Sequence, residues 1–201
     1  MFLRDKIKQT LKEQVYEGYL SLNKYTFKVP PLDDDKTLKS SNVREVVHSN
    51  DSVHILIYSA LDDALLFCEE FRTGSYLNQA HSIPFLYQCV SGSIESDENP
   101  IETALKEILE ETGLTISALQ SVGEIYKSPG ILTEMSHLFF TEYDQKISTG
   151  IFGVGDEEIK THLLSVHQVF DMMDKKQFKD GATLLLLNWF RNQYSKPIHN
   201  H

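Results

Sequence analysis

The chain has 201 residues, 41% of them hydrophobic, with 29 Asp and Glu against 19 Lys and Arg for a formal charge of −10. That length and composition can bury a full core and suggest one globular domain with an appendage; the acidity excludes a grip on nucleic acid, which needs clustered Lys and Arg against phosphates. No run approaches the roughly 18 apolar residues of a membrane span, and the opening MFLRDKIKQTLKEQV mixes charges into its apolar residues where a signal peptide would build a core.

With only Cys68 and Cys89, the expectation is a soluble cytoplasmic protein with two buried thiols and no disulfide. In chain order the pattern predicts a short N-terminal helical piece, an alternating strand over Leu20 to Val29, a polar turn or loop over Pro30 to Ser41 and a strand over Asn42 to His48. Val53 to Ser59 and Ala64 to Phe71 flank Leu61, Asp62 and Asp63 with hairpin spacing, and Phe85 to Val90 is a further strand. Asn99 can cap a helix, Pro100 suits its first position, Glu102 completes a capping box and Gly113 supplies a left-handed stop, so a helix spans about Pro100 to Thr112. Strands follow at Ala118 to Lys127, His137 to Tyr143 and Lys160 to Leu164, with the glycine-rich, acidic stretch Gly150 to Glu158 between the last two. Helices over Val166 to about Lys175 and about Ala182 to Tyr194 close the chain, and the run Leu184 to Leu187 with Trp189 should cover the sheet. Residues 196–201 read as a flexible tail, whose His199 and His201 are solvent-exposed and not ligands.

The helix after Asn99 carries the chemistry. Ile101, Ala104, Leu105, Ile108 and Leu109 repeat at helical spacing and predict one core-facing stripe. Glu107, Glu110 and Glu111 project together from the other side, within an arc of about 100°. Such a patch is unfavourable by a few tenths of a kcal/mol per pair, because like charges three and four residues apart repel and carboxylates in a last turn oppose the helix dipole. A hard divalent cation that prefers oxygen ligands, magnesium or manganese, would offset that repulsion.

The run Gly92, Glu98, Lys106, Glu107, Ile108, Glu110, Glu111, Gly113, Leu114 resembles the Nudix box at every fixed position but Lys106, where the family usually has arginine. The resemblance implies an α/β fold (α+β in its segregated helices), an α/β/α sandwich with a mixed sheet plus a small N-terminal β region. It divides the chain into residues 1–49, for dimerisation and the substrate pocket, and 50–195, the hydrolase domain. It also implies two or three divalent cations, Mg2+ or Mn2+, on Glu107 and Glu111, with Glu110 assisting, Glu98 a further contributor and Ser91 offering its backbone carbonyl. Lys106 can still pair with a carboxylate but lacks the planar fork of arginine.

Beyond the box, Ser128, Pro129 and Gly130, followed by Thr133, Glu134 and His137, resemble the nucleoside-diphosphate-sugar branch, the ADP-ribose and GDP-mannose pyrophosphatases. Ile131 departs from it, where a second glycine is frequent, as does Gln88, where relatives usually carry glutamate. Glu69, Glu70, Phe71, Arg72 and Tyr76 resemble the segment that holds substrate, with Arg72 suited to a bidentate phosphate contact. The resemblance further implies a homodimer, substrate contacts at Glu70, Arg72, Tyr76, Pro129, Gly130 and Glu134, and a catalytic base on the glycine-rich loop, Glu157 or the neighbouring Glu158, with Glu110 as a further catalytic candidate. Phe27, Tyr76 and Tyr126 are candidates to stack on the base. The expected reaction is metal-dependent hydrolysis of a nucleoside diphosphate sugar, ADP-ribose to AMP and ribose 5-phosphate by preference, with GDP-mannose or a UDP-sugar as the alternative and a non-catalytic nucleotide sensor as the remote one.

Overall fold

The computed structural model describes residues 6–31, 37–81 and 83–194, so the tail over 196–201, with His199 and His201, lies outside the described residues. Two compact units emerge, Met1–Asp51 with Tyr126–Met135, and Ser52–Ile125 with Ser136–His201.

The first unit is a four-stranded sheet: β1 (Lys8–Glu17), β2 (Ser21–Val29), β3 (Lys39–Ser40) and β4 (Arg44–His48). β2 is central, pairing antiparallel with β1 from Lys8↔Lys28 to Glu17↔Ser21 and with β4 from Ser21↔His48 to Tyr25↔Arg44. The described part of the expected N-terminal helical piece is thus a strand. Its Lys, Glu, Gln and Leu favour helix locally, but an isolated helix this short is marginal in water, whereas the β2 partner satisfies the backbone along its length. Tyr25 is buried, its hydroxyl 2.8 Å from His48 Nε2. The turn after Ser128, where the amides of Ile131 and Leu132 both donate to the Ser128 carbonyl, joins this unit through an isolated parallel bridge between Val47 and Leu132.

The second unit contains β5 (Ser52–Ser59), β6 (Ala64–Phe71), a single helical turn α1 (Thr73–Tyr76), β7 (Phe85–Gln88), β8 (Val90–Ser93) and α2 (Pro100–Thr112). β9 (Gln120–Tyr126), β10 (Met135–Tyr143), β11 (Ile151–Phe152), β12 (Ile159–Ser165), α3 (Val166–Asp174) and α4 (Gly181–Tyr194) complete the order. The strands form one mixed sheet in the order β11-β12-β6-β5-β10-β9, with β7 on β6 and β8 on β5. β5 and β10 run parallel, while β6 is antiparallel to β5, β7 and β12.

β5 is buried on both faces, as the apolar run from Val53 demands. Val53, Ile55 and Ile57 join Leu66, Cys68, Val90 and Phe139 in a core against Ala104 and Ile108 of α2. On the other face Leu56, Leu65, Phe67 and Cys89 pack with Val166 and Val169 of α3 and Leu186, Leu187 and Phe190 of α4. Helices therefore cover both faces of the sheet. The β5–β6 hairpin turns at Asp63, whose φ of 47° is left-handed and whose carboxylate accepts the Tyr58 hydroxyl at 2.9 Å.

The buried face of α2 is rotated from the predicted stripe. Thr103, Ala104, Ile108, Glu111 and Thr112 are buried, while Ile101 and Leu109 are 52% and 54% exposed. Glu111 therefore does not project away from the core: it lies on the core side, with Glu107 on its flank.

Candidate active site

Asn99 holds the start of α2 by accepting the amides of Ile101 and Glu102, both at 3.0 Å, and Gly113 ends it at φ 70° with its amide on the Leu109 carbonyl. Rigid ends fix the pitch on which the glutamates sit. Glu111 is only 6% exposed. It accepts the Ser91 amide at 3.3 Å, and it interacts with the Cys68 thiol, which burial pushes well above the ordinary thiol range.

Burial pushes the Glu111 carboxyl up to about 8, and the neighbouring Glu107 charge adds to the rise. Glu107 reaches about 7, again through burial first and the Glu110 charge second. The carboxylate of Glu107 lies against the backbone of Gly92, where any Cβ would overlap it. This is why β8 needs glycine at that point if Glu107 is to keep its place. Glu110 is half-buried on the same arc.

Glu98 is turned to Lys106 and Thr103, accepting from Lys106 Nζ at 3.1 Å and Thr103 Oγ1 at 2.8 Å, and these contacts hold its carboxyl below the usual range. Lys106 thus makes the pairing expected of it, through one amine. Glu98 is still near enough for its charge to raise Glu107.

On β6, Leu66 and Cys68 share the face toward α2, and the register sets Cys68 opposite Gln88 and Glu70 opposite Leu86. Arg72, just past the strand, pairs with Glu70 at 2.7 Å, donates from Nε to Gln88 Oε1 at 2.5 Å and reaches Ser91 Oγ at 3.4 Å. Burial raises the Glu70 carboxyl, Arg72 partly offsets this, and Glu157 adds to the rise. The same Glu157 charge also bears on Glu107; Glu157 and the adjacent Glu158 of the glycine-rich loop are both exposed. Gly153 and Gly155 of the loop have φ of 115° and 71°, conformations that suit glycine.

Hydrogen bonds, an ion pair and charge interactions therefore link Glu70, Arg72, Ser91, Glu98, Glu107, Glu110, Glu111 and Glu157 within the second unit. Tyr76 is an exposed residue of α1, its ring 5.7 Å from that of Phe71. Pro129, Gly130 and Glu134 belong to the first unit, where Glu134 pairs with Lys127 at 2.7 Å. Sequence reasoning passed over the thiol of Cys68 and the hydroxyl of Thr103; the period-two alternation with Leu66 carried enough signal to turn Cys68 toward α2.

Among the described residues, no group of three or more His, Cys, Asp or Glu side chains is gathered closely enough to hold a metal ion by itself. The donor set nevertheless fits a hard divalent cation. Two carboxylates crowded enough to resist ionisation flank a backbone loop, and Mg2+ typically takes one or two carboxylates and keeps several waters. Zinc is a poorer match for these oxygens.

Known proteins resemble this chain over most of its length. The family model described as NUDIX domain matches residues 48–186. A GDP-mannose pyrophosphatase of Yersinia enterocolitica is 33% identical over 186 residues, covering 92% of this chain and 94% of its own. An ADP-ribose pyrophosphatase of Haemophilus influenzae is 27% identical over 188 residues, covering 92% and 86%. A solved ADP compounds hydrolase shares the fold with a TM-score of 0.68 at 16% identity, covering 93% of this chain and 95% of that one. With the box glutamates gathered at one end of α2 and the family match spanning more than half its length, the chain belongs to the Nudix family and is a hydrolase.

Proposed function

We propose that the protein hydrolyses the diphosphate bond of a nucleoside diphosphate sugar, releasing a nucleoside monophosphate and a sugar phosphate. The observation that carries this reading is the crowding of Glu107 and Glu111 beside Gly92, which an unliganded acidic surface has no reason to keep. The names borne by the relatives support the substrate class. Identity of 33% to a GDP-mannose pyrophosphatase against 27% to an ADP-ribose pyrophosphatase puts GDP-mannose ahead of the ADP-ribose expected from the sequence.

In this reading Glu107, Glu111 and the Ser91 carbonyl hold Mg2+ or Mn2+, with Glu110 and Glu98 supporting them and two or three ions in the working site. When bound, such cations neutralise the diphosphate and lower the pKa of the attacking water. Arg72 trades its Glu70 partner for phosphate oxygens, with Gln88 holding Nε so that the terminal amines face the substrate. Glu157 accepts the proton of the water, a role favoured over Glu158 because its charge bears on Glu107 and Glu70. Tyr76, Pro129, Gly130 and Glu134 are proposed substrate contacts on the family pattern alone.

A homodimer is part of the proposal, supported by Leu11, Val15 and Tyr16, which leave large apolar side chains exposed on β1. Two free, buried cysteines suit the reducing cytoplasm. No helix among the described residues is long and apolar enough to cross a membrane. The test is incubation of the purified protein and magnesium with GDP-mannose, ADP-ribose and a UDP-sugar, resolving the products. Cleavage of one of them, lost in excess chelator, supports the reading; no turnover of any nucleotide sugar, or turnover undiminished by chelator, rejects it.

A further inference from the structure

We propose that Thr103 is a positioning residue that shares the Glu98 carboxylate with Lys106, one donor to each oxygen, and so fixes that carboxylate in one orientation at the entry to α2. Thr103 is fully buried, and its Oγ1 donates to Glu98 Oε2 at 2.8 Å. Lys106, three residues further and therefore on the same face of the helix, donates from Nζ to Glu98 Oε1 at 3.1 Å. An ammonium is a single point charge on a flexible stem, and the Glu98 side chain is 29% exposed, so Lys106 alone would leave the second oxygen to swing toward water. The buried hydroxyl removes that freedom. Two side chains thus do what an arginine does with the two arms of one planar group.

The position of Glu98 in the chain gives its orientation a consequence. It lies one residue before Asn99, the cap of α2, and its amide donates to the Glu95 carbonyl at 3.0 Å. The connection from β8 to α2 is therefore tied to the helix at its far end by Glu98 and Asn99. At its near end, Ser91 and Gly92 of β8 meet Glu111 and Glu107. A carboxylate held at one oxygen only would let this connection shift against the glutamates that it meets. Groups that orient a ligating side chain commonly change metal affinity by about 10- to 100-fold when removed, and the low end of that range applies to a supporting carboxylate such as Glu98.

The inference rests on the reading of Glu98 as a contributor to the cation site, and the experiment separates the two. Mn2+ is titrated into the full-length, metal-free protein, and free Mn2+ is followed by electron paramagnetic resonance. T103V, which keeps the shape but not the hydroxyl, should bind Mn2+ about tenfold more weakly than wild type, and T103A takes its place if the valine chain does not fold. T103S, which restores the donor, should stay within about threefold of wild type. K106R supplies both donors from one side chain, so T103V added to K106R should lose no more than about threefold relative to K106R alone. A merely structural role for Thr103 would weaken binding equally in the two backgrounds. That equal loss, or wild-type affinity in T103V and T103A while E98Q weakens binding, overturns the proposal. Undiminished binding in E98Q overturns the reading beneath it.

Discussion

Glu111→Gln should stabilise the metal-free protein at pH 8 while removing its activity. Glu111 is 6% exposed and its carboxyl is raised from the ordinary 4.5 to about 8. The folded chain therefore holds a proton that the unfolded chain releases across that window. A raised pKa contributes stability that is fully present below pH 4.5 and is lost as pH rises toward 8. At pH 7.5 the linkage relation converts this one site into about 4 kcal/mol of lost stability, an upper figure because water entry and side-chain relaxation absorb part of it.

Glutamine keeps the shape, can accept the Ser91 amide and carries no charge, so it should recover roughly 2 to 4 kcal/mol at pH 8 and about a third of that at pH 5.5. For a chain of this size that is roughly 4 to 15 °C in Tm. Half-buried Glu107, also raised, keeps a residual slope in the variant. The assay is thermal melting in excess chelator at pH 5.5 and pH 8, repeated with millimolar magnesium. Cation binding should lift the wild-type Tm at pH 8 and leave the variant unmoved. A variant less stable than wild type at pH 8 by the same margin as at pH 5.5 would show that the buried charge is not the stressed group.

Gly92→Ala should cost at least about 100-fold in kcat, because its Cβ would occupy the place of the Glu107 carboxylate; a melt close to that of wild type would confirm that the loss is local. Glu157→Gln should lower kcat about 100-fold with little change in KM, whereas Glu158→Gln should stay within about threefold; steady-state kinetics in which the two lose equally would remove the preference for Glu157. Arg72→Ala should raise KM for the nucleotide sugar about tenfold or more while leaving Mn2+ affinity intact, read by kinetics and metal titration side by side. Lys106→Ala, which frees Glu98 from an exposed pair, should move Tm by no more than a few degrees, since solvent and salt screen such pairs.

The parts of this protein readable from its residues are those whose physics is local. Asn99, Pro100 and Gly113 define α2 because a cap, a first-turn proline and a left-handed stop act within a few residues of themselves. The box spacing likewise placed three glutamates on one arc. What it could not supply was the rotation of that arc against the sheet. Ile101 and Leu109 completed an apolar stripe on paper, yet the packing of Ala104 and Ile108 against β5 turned Glu111 inward and left both outside. β1 failed in the same way, since its helix-favouring residues say nothing of the β2 ladder that claims them.

The contacts most closely tied to the chemistry are the least local. Arg72 meets Gln88 across 16 residues only because β6 and β7 pair in a single register, it meets Ser91 across 19 because β8 pairs with β5 beside them, and the Glu157 charge bears on Glu107 only through the course of its loop. A one-residue slip of β7 on β6 would turn Gln88 to the opposite face and away from Arg72. The arginine would then have only Glu70 and Ser91 to hold it. The box supplies the charge in this site, and strand register decides whether that charge has anything to act with.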